Sequence, residues 1–442
     1  MAASVFDSAI YRDLFRDEET ARLFSDTAEV RAMLLVEGAL AKAQGAHGMI
    51  PETAAKAIHR ASLEAQIDPA ALAEETGRSA VVVPALVSAF RKEIGAPDHA
   101  QYAHWGATSQ DIMDTGLVLR LRQVIALYET RLSALLHALA DQAEQHEGTP
   151  MAARTYMQVA SPTSFGAVVA QWGRPLLRLR ARLPAVRDAL LTVSLSGAAG
   201  TLSAMGEDGP KVRARLAEEL GLSDPGATWH TERDRLTGFA AWMTDTATAL
   251  GKMGEDLILL TQSGIGEVTL GQGGGSSTMP QKSNPIQPTL LSALARQTVA
   301  LNSAMQGAAI HRQQRDGTAW FTEWMTLPQM CMGLGTALTT ATDLARTLTA
   351  NTARMRAGID DGTGLIHAEA LSFALARHMP RPEAQAEVKA LCQQVQTSGT
   401  PLPDLAAARW PDQDLSALFT PEASLGTAPA DARAFARAAR TP

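Results

Sequence analysis

Three long segments of this chain share one spacing of apolar residues, and that spacing constrains the fold more than any other feature. The segments run from Asp111 to Glu147, from Phe165 to Leu190 and from Leu236 to Leu260. In each of them apolar side chains recur at steps of mostly three and four residues. Such steps predict long helices with a seam near period 3.5, as in helix bundles.

The composition also favours helices. Of the 442 residues 46% are hydrophobic and only 5% aromatic, and alanine is abundant. In the three segments the apolar residues cover more of the predicted helix surface than a single stripe. A small core cannot bury that much apolar surface. We therefore expect an all-α protein whose long helices are buried partly against other copies of the chain.

The pattern divides the chain into three predicted domains. Residues 1–110 form an N-terminal helical domain, residues 111–355 a central bundle of long helices, and residues 356–442 a small C-terminal helical domain. The last boundary is placed where the pattern shortens into segments interrupted by glycine and proline. A chain of 442 residues is long enough for such a division.

Charge and cysteine content limit the partners and the compartment. The formal net charge is −7 and no basic tract is present, so we expect no nucleic-acid partner. The two cysteines, Cys331 and Cys392, lie in apolar helical stretches and indicate a reducing compartment rather than a disulfide scaffold. No signal sequence or long apolar run is evident, so we expect a cytoplasmic protein without a membrane partner.

A glycine-rich loop carries the densest group of polar residues. The stretch Gly273–Pro285 reads Gly-Gly-Gly-Ser-Ser-Thr-Met-Pro-Gln-Lys-Ser-Asn-Pro. Three successive glycines allow backbone N–H groups to approach a ligand, and the adjacent hydroxyls and lysine suit an anion. A flexible polar surface turn is the alternative interpretation of the glycines and serines taken alone.

This loop resembles the signature of the fumarase/aspartase superfamily, G-S-S-x-M-P-x-K-x-N-P. The resemblance implies a three-domain, all-α fold whose central helices assemble into a homotetramer with active sites shared between subunits. It implies that Ser276 transfers a proton at the carbon next to a substrate carboxylate. Lys282 and Asn284, with Ser277 beside them, are implied to hold that substrate.

A second motif lies at the start of the first long segment. Thr108, Ser109 and Asp111 stand where a loop enters the predicted helix, and a helix N-terminus with hydroxyl donors can bind a carboxylate. A plain helix cap is the alternative. The stretch resembles the superfamily pattern H-x-G-x-T-S, which implies that the Thr-Ser pair binds a substrate carboxylate and that His104 belongs to the catalytic group.

A third motif departs from the superfamily at one position. Arg154-Thr-Tyr-Met-Gln-Val-Ala-Ser-Pro162 resembles the pattern G-x-T-H-x-Q-x-A-x-P, with Thr155 and Gln158 implied as substrate contacts. Tyr156 stands where the superfamily has a histidine. That histidine supports protonation of the leaving group elsewhere in the superfamily, so its replacement argues against fumarase, argininosuccinate lyase and adenylosuccinate lyase.

Other stretches resemble the bacterial 3-carboxy-cis,cis-muconate cycloisomerases. They are Trp229–Leu236, Trp320–Pro328 and the motif that begins at His104. In the N-terminal region Ser79 replaces a histidine of adenylosuccinate lyases. Gln313 and Gln314 stand where the cycloisomerases have His-Glu, whereas Arg315 is retained.

The chemistry of the leaving group is consistent with the missing histidine. A hydroxide or amine needs a general acid, whereas a carboxylate, whose conjugate acid has a pKa near ~4, does not. In cycloisomerisation the substrate's own carboxylate adds to its double bond to form a lactone, so only the proton on carbon needs an enzyme group. Three substrate carboxylates require donors, and the candidates include Arg233 or Arg315.

The function expected from these observations is lactonisation of a small tricarboxylate in aromatic degradation. Neither an HExxH motif nor a Walker or G-x-G-x-x-G loop occurs, so we expect no metal and no nucleotide cofactor. Two alternatives stay open. One is adenylosuccinate lyase or another superfamily lyase that eliminates fumarate, and the other is a non-catalytic structural protein with this fold.

Overall fold

The computed structural model describes residues 4–271, 274–275 and 278–441. Within these residues the protein is predominantly helical, as the apolar spacing predicts. The α-helices are α1 Arg12–Phe15, α2 Glu18–Leu23, α3 Asp26–Ala46, α4 Glu52–Glu64, α5 Ala73–Ser79, α6 Val83–Ile94, α7 Pro97–Ala100, α8 Ser109–Gln145, α9 Phe165–Leu190, α10 Gly209–Leu220, α11 Asp234–Leu260, α12 Ile286–Gly307, α13 Gly317–Thr347, α14 Thr352–Ala357, α15 Ala368–Leu375, α16 Arg381–Ser398, α17 Leu402–Arg409 and α18 Ala428–Arg440. The strands are β1 Pro150–Thr155, β2 Gln158–Ser164, β3 Val268–Thr269, β4 Gly274–Gly275, β5 Ser283–Asn284 and β6 Thr349–Ala350.

The three predicted long helices are confirmed as α8, α9 and α11, which contain 37, 26 and 27 residues. Two further helices, α12 and α13, contain 22 and 31 residues. In the described part of the chain, no helix combines the length and the apolar character that a membrane crossing requires.

The chain divides into two compact units, each assembled from three stretches. The first unit contains Met1–Arg131, Leu179–Thr248 and Leu294–Thr339, and the second contains Leu132–Arg178, Ala249–Ala293 and Thr340–Pro442. Each of the five long helices therefore contributes residues to both units. The three-domain division at residues 110 and 355 stays a prediction.

The first unit has a core of apolar side chains from its N-terminal helices and from α10. Leu40 on α3, Ile58 on α4 and Phe90 on α6 are fully buried in it. Gly38 allows α3 and α4 to approach closely, because a Cβ there would lie 1.9 Å from the Ser62 hydroxyl oxygen. The middle turns of α3 face this core, and they also carry the buried carboxylate of Glu37.

The second unit contains all six described strands and a separate cluster of apolar side chains near the C-terminus. Strands β1 and β2 form an antiparallel hairpin, β3 pairs with β6, and β4 pairs with β5. The C-terminal cluster is centred on Leu371, Leu375 and Leu402 of the short helices. The strand pairs were not predicted. Strands β3 to β6 contain two residues each, too few to show an alternation of apolar and polar residues.

Candidate active site

The N-terminus of α8, in the first unit, presents two hydroxyl groups. Thr108 precedes the helix and Ser109 begins it, and both residues are partly exposed. The Thr108 N–H donates to Asp111 Oδ2 at 3.0 Å, which is one half of a capping box. Within the described residues neither hydroxyl is hydrogen-bonded to the protein, so both can donate to an anion at the positive end of the helix dipole.

Asp111 holds this helix start against two other segments. Its buried carboxylate accepts hydrogen bonds from the N–H groups of Ser196 at 2.8 Å and Gly197 at 3.0 Å. Nε2 of His230 lies 2.8 Å from Oδ1 of the same carboxylate. These contacts favour a framework role for Asp111, and its contact with substrate stays a prediction.

Arg233 is enclosed between two carboxylates. Its guanidinium donates to Asp114 Oδ2 at 2.7 Å and to both Glu323 oxygens at 2.7 and 2.6 Å, and its side chain has no solvent exposure. Burial alone would lower the pKa of Arg233, but the charges of Asp114 and Glu323 raise it above its usual value. Because this cation is already matched by two anions, the geometry does not favour it as the binder of a substrate carboxylate.

Arg315 differs from Arg233 in having a donor to spare. Its Nε donates to Gln110 Oε1 at 2.8 Å, while its Nη2 is buried and has no hydrogen-bond partner among the residues that the structure describes. The Gln110 amide is fixed in turn, since Nε2 donates to Asp114 Oδ2 at 3.2 Å and to the His230 carbonyl at 2.9 Å. An unmatched buried guanidinium donor beside the start of α8 is suited to a carboxylate ligand.

His104 forms a close pair with a buried carboxylate. Its Nδ1 lies 2.7 Å from Glu37 Oε1, and the Glu37 side chain is fully buried whereas 19% of the His104 side chain is exposed. Burial alone would lower the pKa of His104, but the charge of Glu37 and the hydrogen bond to it raise that pKa above its ordinary value. His104 also adopts a φ of 64°, a left-handed conformation that is uncommon for residues other than glycine.

In the second unit the third motif forms the tip of the β1–β2 hairpin. Thr155 pairs with Gln158 across a two-residue turn made by Tyr156 and Met157, whose φ values are 50° and 62°. Positive φ at both positions is the signature of a type I′ turn, which suits the twist of a hairpin. The turn places the Tyr156 side chain in full solvent exposure in the single chain.

A largely buried salt bridge supports the hairpin near its tip. Arg154 donates to both oxygens of Glu267, at 2.7 and 2.8 Å, and only 2% of the Glu267 side chain is exposed. The hydrogen bond to Glu267 raises the pKa of Arg154, an effect larger than the opposing effect of burial. The bidentate contact fixes β1 next to the predicted substrate contacts Thr155 and Gln158.

Part of the glycine-rich loop forms a short antiparallel strand pair, β4 with β5. Gly274 pairs with Asn284 and Gly275 with Ser283, and the Lys282 N–H donates to the Met279 carbonyl at 3.0 Å. Of the predicted residues, Lys282 thus lies in the turn before β5, and Asn284 lies on β5. The other two predicted residues of this loop, Ser276 and Ser277, lie outside the described residues.

The comparisons with known proteins agree in placing this chain in one family. The family model described as Lyase matches residues 10–300. The chain belongs to this family, which is part of the fumarase/aspartase superfamily.

Individual relatives in this superfamily cover most of the chain. A 3-carboxy-cis,cis-muconate cycloisomerase of Pseudomonas aeruginosa is 43% identical over 84% of this chain and 82% of its own length. A nitrosuccinate lyase of Streptomyces davaonensis is 34% identical over 97% of this chain and 94% of its own length. The crystal structure of the 3-carboxy-cis,cis-muconate lactonizing enzyme from Pseudomonas putida superposes with a TM-score of 0.92 at 35% identity, covering 98% of this chain and 99% of that one.

Several buried residues of this fumarase/aspartase superfamily member were missed by sequence reasoning. One signal was available for Glu37, a lone carboxylate inside the apolar run Leu34–Leu40. The others lie in stretches that were noted only for their resemblance to the cycloisomerases. They are Gln110, Asp114, His230 and Glu323. No group of three or more His, Cys, Asp or Glu side chains that could hold a metal ion occurs among the described residues.

Proposed function

We propose that this chain is a 3-carboxy-cis,cis-muconate cycloisomerase that interconverts an open tricarboxylate and its lactone in protocatechuate degradation. The observation that carries the proposal is the likeness to relatives of that name, at 43% identity for the protein of Pseudomonas aeruginosa. Tyr156 supports the proposal on chemical grounds, since it stands where the superfamily has a histidine. A carboxylate leaving group does not need a general acid at this position.

In the proposed reaction the substrate supplies its own nucleophile. A carboxylate oxygen of the substrate bonds to one carbon of the double bond, and the electron pair of that bond moves to the carbon next to another carboxylate. Ser276 gives a proton to that carbon, which completes the lactone. In the reverse direction Ser276 removes the same proton, and the carbon–oxygen bond breaks with its electron pair on the departing carboxylate.

The substrate carboxylates are divided among three groups of donors. Thr108 and Ser109 offer hydroxyls at the N-terminus of α8, and Arg315 offers its Nη2, which has no partner among the described residues. Lys282 and Asn284, with Ser277, are assigned to another carboxylate. Of the two candidate arginines we therefore choose Arg315, because Arg233 is matched by Asp114 and Glu323.

We further propose a homotetramer whose active sites combine residues of different subunits. The tip of the β1–β2 hairpin supports this assembly, because Tyr156 is 100%, Met157 76% and Val159 53% exposed in the single chain. Contiguous exposed apolar side chains of this size are typical of surfaces that another chain covers. We place the enzyme in the cytoplasm, in accord with its two free cysteines, Cys331 and Cys392.

A spectrophotometric assay on the purified full-length protein tests the proposed reaction. We expect the muconate absorbance of 3-carboxy-cis,cis-muconate to fall with enzyme concentration, and adenylosuccinate to be left unchanged. The Lys282→Met variant is the matched control for contaminating activity. Release of fumarate from adenylosuccinate, or of an unsaturated acid from nitrosuccinate without turnover of 3-carboxymuconate, would replace this proposal with the lyase alternative.

A further inference from the structure

The buried carboxylate of Glu37 has one hydrogen-bonding neighbour among the described residues, and that neighbour is His104. Oε1 of Glu37 lies 2.7 Å from His104 Nδ1, while Oε2 is buried and has no partner in the described part of the chain. Glu37 lies on α3, 67 residues before His104, and its side chain has no solvent exposure. A carboxylate in this environment is strongly destabilised unless a positive charge lies against it.

We propose that Glu37 is a positioning residue that keeps His104 as a cation with its Nε2–H directed to a substrate carboxylate, so that His104 binds and does not act as a base. The inference rests on the proposed function in one respect, the tricarboxylate nature of the ligand. It assigns a role to Glu37, which no sequence motif singled out, and it changes the chemistry expected of His104.

The proton of this pair belongs on the imidazole. Despite burial, the charge of Glu37 and the hydrogen bond to it raise the pKa of His104 above its ordinary value, because a buried carboxylate favours a cation in contact with it. Nδ1 of His104 donates to Glu37, and therefore Nε2 is the ring nitrogen that is available to donate to a ligand. The uncommon φ of 64° at His104 is consistent with a side chain held by its partner rather than by local backbone preference.

The other charged groups near His104 do not reverse this conclusion. Asp111 on α8 adds negative charge and favours the imidazolium, whereas Arg91 on α6 opposes it. Arg91 is engaged with the backbone, since its Nη2 donates to the Ala103 carbonyl at 3.0 Å. Glu37, in direct contact, is the nearest of these charges and the one that decides the balance.

The functional consequence is a cation next to the α8 N-terminus. His104 is four residues before Thr108, and 19% of its side chain remains exposed, enough for one ring edge to meet a ligand. A fixed imidazolium can hold a substrate carboxylate in a charge-assisted hydrogen bond, which is stronger than a neutral one. A general base at this position would instead need a neutral ring near the working pH.

The first experiment measures the His104 titration directly, in the ligand-free full-length protein labelled with ¹³C at histidine Cε1. The His104→Gln variant assigns the resonance. We expect the wild-type midpoint to lie above the ordinary histidine value and the Glu37→Gln midpoint to fall by about one pH unit or more. Glu29→Gln, the same substitution on the same helix, is expected to leave it unchanged. An unchanged midpoint in Glu37→Gln would overturn the proposal.

The second experiment measures binding of tricarballylate, a non-reactive tricarboxylate, by calorimetry at two pH values. At a pH between the two midpoints of the first experiment, where only wild type carries a protonated His104, we expect Glu37→Gln to bind about tenfold more weakly, the loss of one charge-assisted contact. At a pH about one unit below the Glu37→Gln midpoint both proteins carry a protonated His104, so their affinities should agree within about twofold. Equal weakening at both pH values would assign Glu37 a merely structural role and overturn the proposal.

Two further comparisons keep the result interpretable. If Glu37→Gln fails to fold, Glu37→Asp retains the charge, and its His104 midpoint should remain above that of an ordinary histidine. Failure of that shift would also count against the proposal. Neither measurement requires turnover, so absence of activity on 3-carboxymuconate with a normal His104 shift would remove the proposed function and leave the Glu37–His104 relationship standing.

Discussion

Arg233 and Glu323 form an ion pair that solvent does not reach. The Arg233 Nη2 lies 2.6 Å from Glu323 Oε2, and the two side chains are 0% and 2% exposed. Asp114 completes the arrangement from the other side of the guanidinium at 2.7 Å. This buried triad turns an arginine that sequence alone nominates for substrate binding into a part of the framework.

The triad predicts a large effect of Arg233 on stability. Replacing Arg233 with Met leaves the carboxylates of Asp114 and Glu323 buried without their cation, and we expect the free energy of unfolding to fall by ~3–5 kcal/mol. Chemical denaturation at fixed protein concentration measures it. The control is Arg182→Met, which breaks an ion pair to Asp245 whose partners are 57% and 52% exposed and should change stability little. Equal effects in the two variants would show that the triad is not stabilising.

Arg315 is predicted to act on binding instead. Arg315→Met loses the hydrogen bond from Nε to the buried Gln110 Oε1 but breaks no described ion pair, so we expect the free energy of unfolding to fall by ~1–3 kcal/mol, less than in Arg233→Met. We expect kcat/KM for 3-carboxymuconate to fall by ~10- to 100-fold, mostly through KM, as for loss of one charge-assisted contact. Arg182→Met, whose ion pair with Asp245 is exposed on both sides, serves again as the control. A wild-type KM in Arg315→Met would remove Arg315 from the site.

Tyr156 is predicted to be nearly dispensable for chemistry. If the substrate carboxylate is the leaving group, Tyr156→Phe loses no more than one neutral hydrogen bond, a decrease in rate of about two- to tenfold. Ser276→Ala removes the proton carrier and should slow the reaction by ~10²-fold or more. Rates of both variants on 3-carboxymuconate at one pH provide the comparison. A Tyr156→Phe loss as deep as that of Ser276→Ala would favour a lyase that must protonate its leaving group.

Subunit sharing predicts complementation between two inactive variants. His104→Ala and Ser276→Ala, unfolded together and refolded as a mixture, should regain part of the wild-type activity, because some sites then combine intact residues from different chains. Each variant refolded alone is the control. Mixtures as inactive as both parents, despite assembly into mixed oligomers shown by mass, would argue that each site is built within one chain.

Much of the fold was predictable because its signals are local. The seams of α8, α9 and α11 repeat over many turns, and such long periodic segments are the most reliable part of any sequence-based prediction. The hydroxyls at the start of α8 were also predictable, since a Thr-Ser pair before an apolar-periodic segment marks a helix N-terminus. The β1–β2 hairpin was missed because its turn, Tyr156-Met157, lacks the glycine or asparagine that usually marks a type I′ turn.

The sequence by itself determined the helical architecture, the superfamily motifs and the residue types available for binding an anion. Only the tertiary structure decided which of those residues are free to do so. Arg233 meets Asp114 across 119 residues and Glu323 across 90, and His104 meets Glu37 across 67. Whether a charge is available depends on burial and on the opposite charges that folding places against it. Those partners are distant in sequence, and therefore no local pattern can indicate them.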